Sequence, residues 1–244
     1  MLLAGLSLGA CKKDEPAVVL RRDGALGAQR CSGRPGPKNR LNPVLQRPFD
    51  GQYPVYRLFD HDLPEPRAVD SKRESDTELT WCGLVALGLD DGSTGYAFGL
   101  PMDTPVLSAA DGEVVSAGVK APWACARTHR IVDDEQWVEV RHDGLGGVGF
   151  LTRYSALSKV VVTSGDKVVA GQRLGLSGQS RCARLPALEF EVLRLTDTRT
   201  GRPAVVDPYG WDGPGPDPWA ESEHGVRSDW LWIDGEAPTL KSSK

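Results

Sequence analysis

Residues 104–119, "TPVLSAADGEVVSAGV", place two short Val-containing runs on either side of Asp111-Gly112. Asp-Gly is a reversal dipeptide, and the flanking runs are too short and too Gly-broken for helices, so the stretch predicts an antiparallel strand pair. The same grammar recurs outward in "TWCGLVALG" (80–88), "QWVEVRHDG" (136–144), "GVGFLTRYSAL" (147–157), "KVVAGQRLGLSG" (167–178) and "ALEFEVLRL" (187–195). Ser164-Gly165-Asp166 and Ala170-Gly171-Gln172 offer the positive φ angles of tight turns. No long helical period occurs, so the expected fold is all-β, a short-stranded antiparallel sandwich or barrel-like domain.

With 244 residues, 40% of them hydrophobic, the chain can bury a substantial core. A net charge of -4 and a pI near 5.6 give a nucleic-acid partner no global electrostatic support. Composition divides the chain into five parts. Residues 1–10 form a short apolar run that ends "LGAC" at Cys11. Residues 11–50, rich in Arg, Lys, Gly and Pro, are expected as a linker or surface wrap. Residues 51–77, including "YPVYRLFDHDLPEP" (53–66), are expected to lay a strand on the core of a β domain spanning 78–210. A Trp-rich tail, 211–244, follows, with packing across the domain as its expected role.

The opening "MLLAGLSLGACKK" resembles the lipobox of bacterial lipoproteins, which implies a signal peptide, lipidation at Cys11 and a membrane-anchored envelope protein. No Lys or Arg precedes the apolar run, so the true start is expected upstream. Outside the cytoplasm the remaining cysteines, Cys31, Cys82, Cys125 and Cys182, allow three disulfide connectivities. The sequence does not choose among them. The loop positions of Cys125 and Cys182 favour Cys125–Cys182 with Cys31–Cys82.

The order of words from Gly92 to Trp211 resembles the lysostaphin-type (LytM-like) zinc endopeptidases of bacterial cell walls. It runs through "GYAFGLPMDTPVLSAADGEVV", "WVEVRHDG", "TRYSALS", "AGQRLGLSG", "LEFEV" and "VDPYGW". The resemblance implies a domain of the duplicated-hybrid-motif type, zinc as the family cofactor and peptidoglycan as the family partner. "SGDKVVAGQRLG" is also similar to the hairpin of biotinyl and lipoyl carriers, but no exposed Met-Lys-Met turn accompanies it.

A fold does not carry its reaction with it. The family holds zinc with a His and an Asp from His-x-x-x-Asp and a His from a His-x-His strand, and a further His in Tyr-x-His-Leu assists the bound water. Three protein ligands and one open position let zinc acidify that water. Matching the words puts Ser93 and Ala97 at the first pair, Ala156 at the assisting His, and Ala187 and Glu189 at the two His of the strand. Only Glu189 is a ligand type.

The resemblance therefore implies a degenerate member: no catalytic residue, no metal ligand set and no cofactor. The expected function is that of an inactive peptidase-like envelope protein that binds peptidoglycan or regulates a cell-wall hydrolase. Tyr96, Arg153, Tyr154 and Glu189, with Ser93, are expected on the groove floor. Two alternatives stand beside it: an active metalloendopeptidase with ligands rearranged among His129, Glu189, Glu191 and Asp90, and a structural scaffold of the envelope. His61, His129, His142 and His224 are expected to be structural or surface histidines, with His142 closing a turn.

Overall fold

The computed structural model describes residues 43–61, 77–82, 85–87, 92–124, 131–132, 134–143, 149–179, 185–195, 203–213, 215–223 and 225–240. Fourteen strands alternate with turns among these residues, and every strand pair is antiparallel. They are β1 (Val55–Arg57), β2 (Thr77–Leu79), β3 (Val85–Leu87), β4 (Tyr96–Phe98), β5 (Pro105–Leu107), β6 (Gly112–Val119), β7 (Trp123–Ala124), β8 (Ile131–Val132), β9 (Gln136–His142), β10 (Phe150–Val160), β11 (Lys167–Val168), β12 (Arg173–Ser177), β13 (Leu188–Arg194) and β14 (Ala204–Val206). One four-residue helix, α1 (Pro218–Glu221), is capped by Asp217, whose side chain accepts from the Trp219 N–H.

The main sheet runs β1-β4-β13-β10-β9-β6-β11, with β12 on β10, β5 on β12 and β14 on β13. β9 carries the alternation expected of a half-buried strand, with Val138, Val140 and His142 buried, and the Asp111-Gly112 turn leads into β6, where Val114 is buried. Gly112 is required there by proximity: a Cβ would lie 2.3 Å from the Arg141 carbonyl oxygen. Gly165 and Gly171 adopt φ of 95° and 79°, as their turns demand.

β13 separates the two faces of the sheet. Leu188, Phe190 and Val192 are buried on one face, whereas Glu189 and Glu191 are partly exposed on the other. The core face is roofed by segments at both ends of the described chain. Phe190 meets Trp232 at 5.9 Å between ring centroids, Tyr209 meets Trp232 at 5.5 Å, and Phe49 meets Phe98 at 5.1 Å. Leu45 pairs with Trp232 in a parallel bridge.

Leu45 and Phe49 are buried core residues, so the end of the expected linker or surface wrap, residues 43–50, packs into the domain's core. Trp219, Trp230 and Trp232 are buried as well, in keeping with a packed tail.

His61 makes the second tie between the ends. Its ring is buried, with Nδ1 2.7 Å from Asp217 Oδ1 and Nε2 3.0 Å from Asp207 Oδ2. Burial alone would lower the affinity of the imidazole for a proton. The bonds and charges of Asp207 and Asp217 override that effect and raise its pKa to about 9. Asp207 also accepts from the Tyr96 hydroxyl at 2.8 Å and from the Tyr209 N–H. No helix among the described residues is long and apolar enough to cross a membrane.

Candidate functional site

Of the five positions singled out in the sequence, Ala97, Ala156, Ala187 and Glu189 are linked by strand pairing, and Ser93 precedes β4. In the register of β4 and β13, Ala97 lies opposite Glu189, and on the other side of β13 Ser155 lies opposite the same Glu189. Ala187 forms a bridge with Gly178, whose N–H donates to the Ala156 carbonyl at 2.7 Å. Ser93 stands just before β4, and its hydroxyl donates to the Gly95 carbonyl at 3.0 Å.

Ala156 sits at a β-bulge. β10 has one residue more than β9 between the pairs Tyr154↔Val138 and Leu157↔Gln136, and Ala156 takes φ of 61°. A bulge of this kind re-aims a side chain out of the alternation. Gly178 accommodates it, because a Cβ there would lie 2.5 Å from the Ser158 nitrogen and 2.8 Å from the Ala156 oxygen.

The chemistry left at these positions is small and closed. Ser93, Ala97, Ala156 and Ala187 are all buried, three of them without any donor atom. Glu189 is partly exposed and faces Arg57 of β1, whose Nη2 is 3.6 Å from Glu189 Oε2. Arg57 and Glu189 both lie opposite Ala97, one on each neighbouring strand. The cation beside the only carboxylate of the five positions is thus a side chain of the protein. One hydroxyl donating to its own backbone and one ion-paired carboxylate do not fit the three-ligand site that catalytic zinc requires. Among the described residues, no three His, Cys, Asp or Glu side chains come together in a way that would hold a metal ion.

Next to this row lies an ordered charge ladder. Arg153 donates through Nε and Nη2 to Glu139 at 2.9 and 2.8 Å and through Nη1 to Glu191 at 2.7 Å, spanning β9, β10 and β13. Its guanidinium lies 5.6 Å from the Trp137 ring centroid, and the Thr94 hydroxyl donates to Glu191. Burial works against the charge of Arg153, but Glu191 and Glu139 outweigh it and hold the guanidinium more firmly protonated than usual.

Two of the expected groove residues lie elsewhere. Tyr96 and Tyr154 occupy the positions of β4 and β10 that point into the core, and both are completely enclosed there. Tyr154 accepts from the Ala109 N–H at 2.8 Å and packs on Phe190 at 5.4 Å; Tyr96 serves Asp207. The period of two along each strand decides this, since Arg153 and Ser155 share the Glu189 face and Tyr154 between them does not. The structure instead adds Arg57, Glu139 and Trp137 to that face. Alternation in "WVEVRH" carries a signal for Glu139, whereas Arg57 needed the β1–β4 register.

The profile of "Peptidase family M23" matches residues 91–203. Those residues form an M23 domain. Over 99 residues the chain is 35% identical to the "Peptidoglycan DD-endopeptidase ShyA" of Vibrio cholerae serotype O1, covering 41% of this chain and 20% of that protein. It is 33% identical over 108 residues to the "Cell division protein DipM" of Caulobacter vibrioides, covering 44% and 15%. The matched part therefore spans a fifth or less of these relatives. Among solved structures, a zinc-containing peptidase from Vibrio cholerae aligns with 25% identity and a TM-score of 0.43, over 68% of this chain and 40% of that one. The M23 match begins after Arg57 and ends before Asp207, so the Glu189 counter-ion and both carboxylates on His61 come from outside it.

The remaining expectations fall where the structure describes little. Cys11, Cys31, Cys125, Cys182, Asp90, His129 and His224 lie outside the described residues. Cys82 is partly buried, its sulfur 3.5 Å from Thr80 Oγ1. His142 is buried, one ring nitrogen 2.8 Å from the Asp111 carbonyl at the turn and the other 2.7 Å from Thr152 Oγ1. Burial lowers its pKa, as expected of a neutral structural ring.

Proposed function

We propose that this chain is a cell-envelope lipoprotein, anchored through Cys11, whose M23 domain binds peptidoglycan without hydrolysing it and acts as a wall-binding or hydrolase-regulating module. The observation that carries the reading is the Arg57–Glu189 pair across Ala97, with buried Ala156 and Ala187 beside it. A hydrolytic site needs donors for a Lewis acid and a base for its water. Here those places hold methyl groups and a carboxylate already facing a cation.

The relatives named for peptidoglycan endopeptidase activity and for cell division support the choice of peptidoglycan as the ligand. The partly exposed ladder of Glu139, Arg153 and Glu191 beside Trp137 offers the mixture of charge and aromatic surface that peptide or glycan recognition uses. Cys31–Cys82 and Cys125–Cys182 are the proposed disulfides.

Co-sedimentation of the purified chain with isolated sacculi, run beside an assay for released muropeptides, tests the reading. Binding without release is expected. Release that is abolished by a chelator would establish an active enzyme with rearranged ligands, and neither binding nor release would favour an envelope scaffold. Palmitate labelling that is lost in Cys11→Ser tests the anchor.

A further inference from the structure

We propose that Arg57 is the resident cation of the degenerate M23 site, holding Glu189 by its charge and keeping a divalent metal ion out. The proposal rests on the reading of the domain as non-catalytic and assigns a role to a residue outside the matched family segment.

The strand register brings Arg57 to the site. β1 joins the sheet beside β4, and Arg57 lies opposite Ala97, which lies opposite Glu189 on its other side. Ala97 has only a methyl group, so nothing of its own stands between the two long side chains. Arg57 Nη2 reaches to 3.6 Å from Glu189 Oε2, with both side chains about a quarter exposed. Arg153, the other arginine of this face, is turned to Glu139 and Glu191, so Glu189 has Arg57 as its ion partner among the described residues.

A guanidinium stays protonated at every physiological pH, and it cannot coordinate a metal. A zinc ion drawn to the Glu189 position would meet a fixed positive charge at close range, in a partly desolvated setting where water screens poorly. The loss of ligands and the gain of a cation therefore act together. Restoring donors alone leaves the repulsion in place.

Zinc affinity separates the two contributions. In S93H/A97D/A187H/E189H, with Arg57 retained, zinc is expected to bind at least ten-fold more weakly than in the same protein carrying R57Q. Replacing Arg57 by Lys in that background should keep the weak binding, because the charge is kept while the shape changes. Affinity is read by competition with a zinc-sensitive dye, with circular dichroism confirming the fold. If the four substitutions prevent folding, A97D/E189H with and without R57Q makes the same comparison with zinc alone. Equal affinity with and without Arg57, or no zinc bound in either protein, would overturn the proposal. Chelator-sensitive muropeptide release by the wild-type chain would count against the proposed function, a result the affinity comparison does not share.

Discussion

His61 Nε2 lies 3.0 Å from Asp207 Oδ2, joining the segment that follows β1 to the residue that follows β14. With Asp217 on the other ring nitrogen, one imidazolium holds together the leading segment, the close of the β domain and the cap of α1. Phe59 and Trp211 pack on the ring at centroid distances of 5.1 and 4.8 Å. Burial pushes the Asp207 carboxyl above its usual range, and the bonds and charge of His61 with the bonds from the Tyr209 N–H and the Tyr96 hydroxyl offset it only in part.

This tie makes stability depend on alkaline pH. The folded pKa of His61, about 9, exceeds the ordinary 6.5, so the folded state binds the proton more tightly than the unfolded chain. The stabilisation is fully present below about pH 6.5 and is lost as pH rises through 9, with a magnitude on the order of 3 kcal/mol. Thermal melts between pH 6 and 9.5 should give a falling Tm for the wild type. In His61→Gln the melting temperature should be lower at pH 6 and much flatter with pH. Parallel curves for the two proteins would contradict the charged ring.

Arg153→Met should destabilise the domain by about 1 kcal/mol, a figure held down because Arg153 and its two partners are partly exposed and water screens them. Glu139 and Glu191 would then face each other across β10 with no cation between them, so the loss should shrink as salt is added. Urea denaturation at low and high ionic strength measures both the loss and its salt dependence. A double-mutant cycle with Glu191→Gln isolates the pair.

Local sequence made most of the sheet legible. Val-rich alternation and the Gly165 and Gly171 turns announced strands and reversals, because period and positive φ are properties of a few neighbouring residues. The pairing of Ala97 with Glu189 and of Ala187 with Gly178 lies within strands that ordered motifs marked. Tyr96 and Tyr154 were misread for the opposite reason: membership of a motif says which strand a residue occupies, and only counting by two says which face. Arg57, Leu45 and Trp232 depended on pairings between distant parts of the chain, which local composition does not encode. The Arg- and Pro-rich approach to Leu45 reads as linker until Trp232 is placed beside it.

Ala156 carries a cost that glycine would remove. An L-residue at φ of 61° is disfavoured by roughly 1 kcal/mol relative to glycine, while the single methyl group gives up little packing. Ala156→Gly should therefore leave stability unchanged or raise it by up to about 1 kcal/mol. Ala156→Val, with a branched Cβ at the same φ and in a buried place, should lower it by more than that. Chemical denaturation of the two variants checks the order.

The M23 segment should depend on residues beyond its own ends. A fragment of residues 91–203 lacks Leu45, Phe49, Tyr209, Trp230 and Trp232, the roof over Phe98, Tyr96 and Phe190, and it lacks both partners of the His61 tie. It should give poor amide dispersion and bind a hydrophobic dye, whereas residues 43–240 should melt cooperatively. Within the full chain, Trp232→Ala removes the largest completely buried side chain among the described residues and should cost about 3–5 kcal/mol. The roof and the sheet share one core, so that loss should appear as a lowered midpoint of a single transition. A cooperative melt from the 91–203 fragment, or a Trp232→Ala protein as stable as the wild type, would show that the tail merely rests on the domain.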